Sequence, residues 1–95
     1  MTETGHAIRV AKHALQTGQE QQAIEYIKSA IESIEAVLVL ETENHIKTGD
    51  LGMRSRQLRA AEGTLRKVLC KVEEGLQPVI AVNGLSFALF HLGND

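Results

Sequence analysis

This 95-residue chain has little of what disulfide-bonded, aromatic-rich or strongly charged proteins depend on. Its single cysteine, Cys70, excludes an internal disulfide, and tryptophan is absent. One proline and 3% aromatic residues favour helices over sheets. A net charge of −2 gives no general attraction to nucleic acid or to an anionic membrane. The polar N-terminus lacks the apolar segment of a secretory signal, so we expect a cytoplasmic protein.

The polar residues form no motif for a reaction, a nucleotide or a metal. Gly49 and Gly52 lack the lysine of a phosphate-binding loop. His6 and His13 are two helical turns apart, too far to share one metal ion. No serine lies in a nucleophile-elbow motif. We therefore expect a protein that is not an enzyme and that needs no cofactor or metal.

The strongest positive pattern is an apolar repeat with heptad spacing. Its members are Ile24, Ile27, Ile31, Ile34 and Leu38. This spacing predicts an amphipathic helix, and the flanking residues Ala23, Ala30 and Val37 make its apolar stripe wider than a two-helix coiled coil needs. Such a helix must pack against several others, in its own chain or in a partner.

The whole chain reads as one all-α domain, residues 1–95, with three main helices packed as a small bundle. They are expected at about 5–17, 19–47 and 51–74. Thr4 and Asp50 are predicted N-caps, and Gly18 and Gly75 are predicted helix stops. In the third helix the heptad repeat continues through Leu51, Leu58, Leu65 and Val72.

The apolar segment after Pro78 has two interpretations. Asn83-Gly84 suits the type I′ turn of a β-hairpin. Alternatively, Asn83 caps a short helix from Gly84 to Leu92. We favour the short C-terminal helix, because an isolated two-stranded hairpin is marginally stable.

Residues 7–34 resemble one helical hairpin of the tetratricopeptide repeat. That repeat has small and large packing residues at fixed spacings. The same spacings are found here at Ala14, Gly18, Ala23, Ile27 and Ala30. The segment AIEYIKSAIE is similar to the second helix of that repeat, although Glu35 stands where the family usually has its terminal proline. The three-helix microtubule-interacting-and-trafficking domain is an equally loose resemblance. Either resemblance implies a protein-binding scaffold.

Basic residues cluster in the third predicted helix, where Glu62 is the one interspersed acid. They are Arg54, Arg56, Arg59, Arg66, Lys67 and Lys71. Such a helix can track phosphates, but no aromatic residue interleaves the cluster as a base-stacking platform. The second helix is acidic, so antiparallel packing of the two helices would pair the charges internally. Nucleic-acid binding is therefore the alternative function.

Apolar residues in excess of the expected core predict self-association. The second helix is longer than the first can cover, and the C-terminal segment adds two phenylalanines. The predicted homodimer interface comprises Val37, Leu38, Leu40, Leu85, Phe87 and Phe90. The sequence thus predicts a small regulatory protein: an adaptor, regulator or inhibitor that binds another protein and forms a homodimer.

Overall fold

The described residues form four α-helices, which confirms the all-α prediction. The computed structural model describes residues 2–48, 53–75 and 78–92, with side chains for residues 4–40, 56–75 and 79–92. The helices are α1 (Thr2–Gln16), α2 (Glu20–Thr48), α3 (Met53–Glu73) and α4 (Pro78–Leu92). The predicted bounds of the second and third helices are close to the observed ones.

The four helices pack as a closed ring. Each helix contacts the next along the chain, and α4 contacts α1. Among the described residues, no Cα atom of α1 lies within 8 Å of one in α3, and the same holds for α2 and α4. Lys28 lies opposite Glu73, and Glu35 lies opposite Arg66, so α2 and α3 are antiparallel. The molecule measures 45 × 21 × 19 Å, and α2 accounts for the long axis at about 1.5 Å per residue.

The core is aliphatic and rich in alanine. Ile27, Ile31 and Ile34 of the predicted repeat are buried, while Ile24 and Leu38 pack against the core partly buried. In α3, Leu58, Leu65 and Val72 are also buried. Leu51 and Asp50 lie outside the described residues. Small residues between the helices permit close approach; the buried alanines are Ala7, Ala11, Ala14, Ala23, Ala30, Ala61, Ala81 and Ala88.

Two glycines end helices as predicted. Gly18 has φ 80° and Gly75 has φ 81°, the left-handed conformation that costs glycine least. At the end of α1, the Gly18 N–H donates to the Leu15 carbonyl and the Gln19 N–H donates to the Ala14 carbonyl. These two bonds form a Schellman motif and satisfy carbonyls that the helix leaves unpaired.

Two boundary predictions were wrong. Helix α1 begins at Thr2, so Thr4 lies within the helix, where it is buried, and does not cap it. Helix α4 begins at Pro78, so Asn83 and Gly84 form neither a hairpin turn nor a cap. Proline suits the first position of a helix because the N–H it lacks would have no helical partner there. The C-terminal helix is therefore as long as α1, with 15 residues each.

Candidate protein-docking surface

The outer face of α4 is apolar and exposed to solvent. Side-chain exposure is 67% for Val79, 45% for Ile80, 56% for Phe87 and 63% for Phe90. At 3.6 residues per turn, these four residues and Asn83 fall within an arc of about 100°. Helix α4 contains no Asp, Glu, Lys or Arg. We call Val79, Ile80, Phe87 and Phe90 the α4 outer face.

The opposite side of α4 is apolar as well. Ala81, Leu85, Ala88 and Leu89 are buried against the other helices. A helix that is apolar on all sides is ordinarily buried on all sides. In this chain, α1 and α3 cover only the inner side of α4, which leaves the outer face without a partner in the described part of the molecule.

Aromatic rings cluster at the C-terminal end of this face. The ring centroids of Phe87 and Phe90 are 6.3 Å apart. His91 lies edge-on to Phe87, with the centroids 4.6 Å apart. Rings in such tilted and edge-on arrangements attract one another modestly.

A groove runs between α3 and α4 beside the α4 outer face. It encloses about 220 Å³ and is lined by Thr64, Lys67, Val68, Lys71, Ile80 and Gly84. Gly84 lies so close to α3 that a Cβ atom there would overlap Val68 Cγ2. The missing side chain therefore allows the two helices to approach closely. We call this the α3–α4 groove.

A second cleft lies between α1 and α4. It encloses about 620 Å³ and is lined by Leu15, Gln16, Gly18, Val79, Val82 and Asn83. The described part of its lining is mainly apolar and carries no charged side chain. The α4 outer face therefore has a cleft on each side: the α3–α4 groove on one and this cleft on the other.

The structure divides the predicted dimer residues among three environments. Leu85 is fully buried in the core, so its assignment to an interface was wrong. Val37 and Leu38 pack partly buried against the same core. Leu40 is exposed on α2, whereas Phe87 and Phe90 are exposed on α4. Since α2 and α4 are diagonal in the ring, these residues do not form one continuous patch.

The predicted basic cluster is also divided by the packing. Arg66 pairs with Glu35 of α2 and lies 3.6 Å from Glu62. Lys67 and Lys71 line the groove on the other side of α3. Arg56 and Arg59 are exposed, and the side chain of Arg54 lies outside the described residues.

The charges between α2 and α3 pair internally, as one interpretation of the sequence predicted. Arg66 contacts Glu35, and Lys28 lies 4.0 Å from Glu73. These residues are about half exposed, and such surface pairs contribute only about 0–1 kcal/mol each. Their main effect is to favour the antiparallel register of the two helices.

Cys70 is exposed, and its thiol donates a hydrogen bond to Glu74 at 3.6 Å. The negative charge of Glu74 raises the pKa of Cys70 above its ordinary value, and that hydrogen bond acts in the same direction. The neighbouring Lys71 therefore does not make Cys70 a reactive thiolate, although the sequence allowed that interpretation.

The remaining polar residues form no metal site in the part of the chain that is described. Within the same residues, no helix has both the length and the apolar composition needed to cross a bilayer. Comparison with models of protein families, with curated proteins and with solved structures gave no match. The resemblance of residues 7–34 to two helical families therefore stays a prediction.

The residues predicted for the interface did not include Val79 or Ile80, and the sequence did not predict the α3–α4 groove. The sequence did contain one indication of an exposed apolar face: residues 78–92 include no Asp, Glu, Lys or Arg. An amphipathic surface helix carries charges on its outer side. A helix without them indicates either complete burial or a docking face.

Proposed function

We propose that this chain is a non-enzymatic protein–protein interaction module that works in the cytoplasm as an adaptor, regulator or inhibitor. The observation that supports this function is the exposed, charge-free outer face of α4. Continuous apolar patches on soluble proteins commonly mark binding sites.

The composition of the α4 outer face fits a binding role. Aromatic side chains supply much of the binding energy at protein interfaces, and Phe87 and Phe90 are the two phenylalanines of the chain. Burying one such side chain contributes about 1.5–3 kcal/mol. Two phenylalanines with Val79 and Ile80 therefore supply enough apolar surface for a specific contact.

Self-association is the second part of the proposal. In the isolated protein, we propose a homodimer in which the α4 outer faces of two copies cover each other. A two-fold dimer pairs the same patch on both copies, so one exposed face is sufficient. This replaces the predicted interface that combined α2 with the C-terminal segment, because Leu40 and Phe87 lie on diagonal helices.

Light scattering coupled to size exclusion tests the proposal. At micromolar concentration, we expect a mass near twice the 10.4 kDa of one chain. The double variant Phe87→Ser with Phe90→Ser should elute as a monomer, whereas Leu40→Ser, an equally exposed position on α2, should stay dimeric. A monomeric wild-type protein would refute the homodimer.

Nucleic-acid binding through α3 is the alternative function. Phosphate contacts by arginine and lysine would make binding fall steeply with added salt. The internal pairing of Arg66 argues against it, since that guanidinium already contacts Glu35. Fluorescence anisotropy with single- and double-stranded probes at low and high salt decides between the two functions. Salt-sensitive binding that Arg56→Glu with Arg59→Glu abolishes would favour the alternative.

A further inference from the structure

We infer that the α3–α4 groove and the adjoining α4 outer face bind an acidic amphipathic helix of a partner protein. This inference rests on the proposed interaction function and specifies the chemistry of the partner. It is based on the charges that border the groove and on the apolar residues that line it.

The border of the groove is basic. Lys67 and Lys71 are four residues apart on α3, so both ammonium groups lie on one side of that helix. Within the described residues, neither lysine pairs with a carboxylate, whereas the adjacent Arg66 is paired with Glu35 and Glu62. Helix α4 contributes no charge. Among the described residues, the lining of the groove therefore carries two positive charges and no carboxylate, beside an apolar wall.

The apolar residues beside the groove have the spacing of a helical repeat. Ile80 and Phe87 are seven residues apart, so they lie two turns apart on one side of α4, about 10 Å along the axis. Val68 of α3 and Gly84 of α4 line the groove beside Ile80. An amphipathic helix presents apolar side chains with the same two-turn repeat. Acidic residues along one edge of that helix would face Lys67 and Lys71.

Charge makes a second copy of the chain a poorer match for the groove. An antiparallel two-fold pair of α4 helices places the α3 border of one copy beside the α3 border of the other. Lys67 and Lys71 then face their own counterparts, and like charges across an interface oppose binding. An acidic helix instead meets these lysines with opposite charge, so we expect it to displace the homodimer.

Two synthetic peptides of about 18 residues, five helical turns, test the inference. Both carry leucines with the two-turn repeat; one has glutamates along the flanks and the other has lysines. At low salt, we expect the glutamate peptide to bind at least about tenfold more tightly than the lysine peptide, as measured by fluorescence anisotropy. Equal affinities, or no binding of either peptide, would overturn the inference.

Charge reversal supplies the matched variants. Lys67→Glu with Lys71→Glu should reverse the preference, so that the lysine peptide binds more tightly. Arg56→Glu with Arg59→Glu changes the same number of charges on exposed positions of α3 outside the groove and should keep the order of the two peptides. Equal effects of the two double variants would show that the groove is not the site.

The apolar contact is tested by Ile80→Ser, which should weaken binding of the glutamate peptide by about tenfold. Leu40→Ser should leave that affinity unchanged. Circular dichroism checks that both variants stay folded. Both positions are exposed, so neither substitution removes a core side chain.

Two further measurements test whether a membrane or a second copy of the chain binds this surface instead. Sedimentation with phosphatidylserine vesicles that depends on Lys67 and Lys71, without peptide binding, would assign the surface to an anionic membrane and overturn the inference. A dimer that depends on Phe87 and binds neither peptide would refute the acidic helix while supporting the interaction function. A monomer that binds neither peptide would count against both.

Discussion

Gly84 and Val68 show how one missing side chain sets the distance between two helices. A Cβ atom at residue 84 would overlap Val68 Cγ2, and Val68 is buried. Gly63, in contrast, has open space around its Cα. Gly84 and Gly63 therefore have different effects: Gly84 permits a close helix contact, while Gly63 only weakens its helix.

We predict that Gly84→Ala destabilises the protein by about 1–2 kcal/mol, because overpacking outweighs the better helix propensity of alanine. Gly63→Ala should stabilise it by up to about 1 kcal/mol. In a Val68→Ala background, Gly84→Ala should no longer destabilise the protein, since the overlapping methyl group is gone. Urea unfolding measures all three, and stabilisation by Gly84→Ala in the wild-type background would contradict the close contact.

Cys70 offers a prediction about pH. Glu74 raises the pKa of Cys70, so less thiolate is present at a given pH than in an ordinary exposed cysteine. Glu74→Gln removes the charge and should lower that pKa, so iodoacetamide should alkylate Cys70 faster at pH values below it. Glu62→Gln, on the same helix and not among the causes of the shift, is the control. Equal alkylation rates in the two variants would contradict the role of Glu74.

Helix α2 holds the bundle together through its apolar stripe. Ile27 is fully buried, and Ala23 and Ala30 on neighbouring turns are also fully buried. Close helix packing at alanines leaves little space to accommodate a polar group. The ion pairs at the edge of α2 contribute much less, because they are half exposed to water.

Ile27→Asp is predicted to unfold the chain. The variant loses a buried apolar side chain, which costs about 2–5 kcal/mol in related truncations, and it adds an unpaired carboxylate. This approaches the whole stability of a small domain. Ser29→Asp, exposed on the same helix, should leave the melting temperature nearly unchanged. Unchanged helicity and melting of Ile27→Asp in circular dichroism would exclude the stripe as the core.

Two diagonal helices of the ring, α2 and α4, differ in charge. Acidic residues dominate α2, whereas the diagonal helix α4 is uncharged and bordered by Lys67 and Lys71 of α3. Lys67 and Lys71 lie on the α4 side of α3, whereas Arg66 lies on its α2 side, so no described acid of α2 pairs with either lysine. This separation of charge is the physical basis for expecting a partner of opposite sign.

The same separation predicts opposite salt effects on two associations. Added salt should strengthen the homodimer, because it screens the repulsion between the lysine borders of two copies. It should weaken binding of the glutamate peptide, because it screens attraction. Light scattering and anisotropy over one series of salt concentrations measure the two responses. A homodimer that dissociates as salt rises would contradict the antiparallel pairing of the two α4 helices.

Local patterns in the sequence were sufficient for the helices and their stops. The repeat through Ile27, Ile31 and Ile34 predicted the buried stripe of α2, and Gly18 and Gly75 predicted the ends of α1 and α3. These features depend on residues a few positions apart, where helical geometry and glycine conformation act directly.

Tertiary packing was needed to distinguish the two sides of α4. Leu85 and Phe87 are both apolar, so their sequence context cannot say that one is buried and the other exposed. Contacts with α1 and α3 select the inner side, and α4 packs this close to Val68 of α3 only because Gly84 has no Cβ atom. The docking surface is thus the side that those two helices leave uncovered, and its basic border exists because α3 packs beside α4 and orients Lys67 and Lys71 toward the groove.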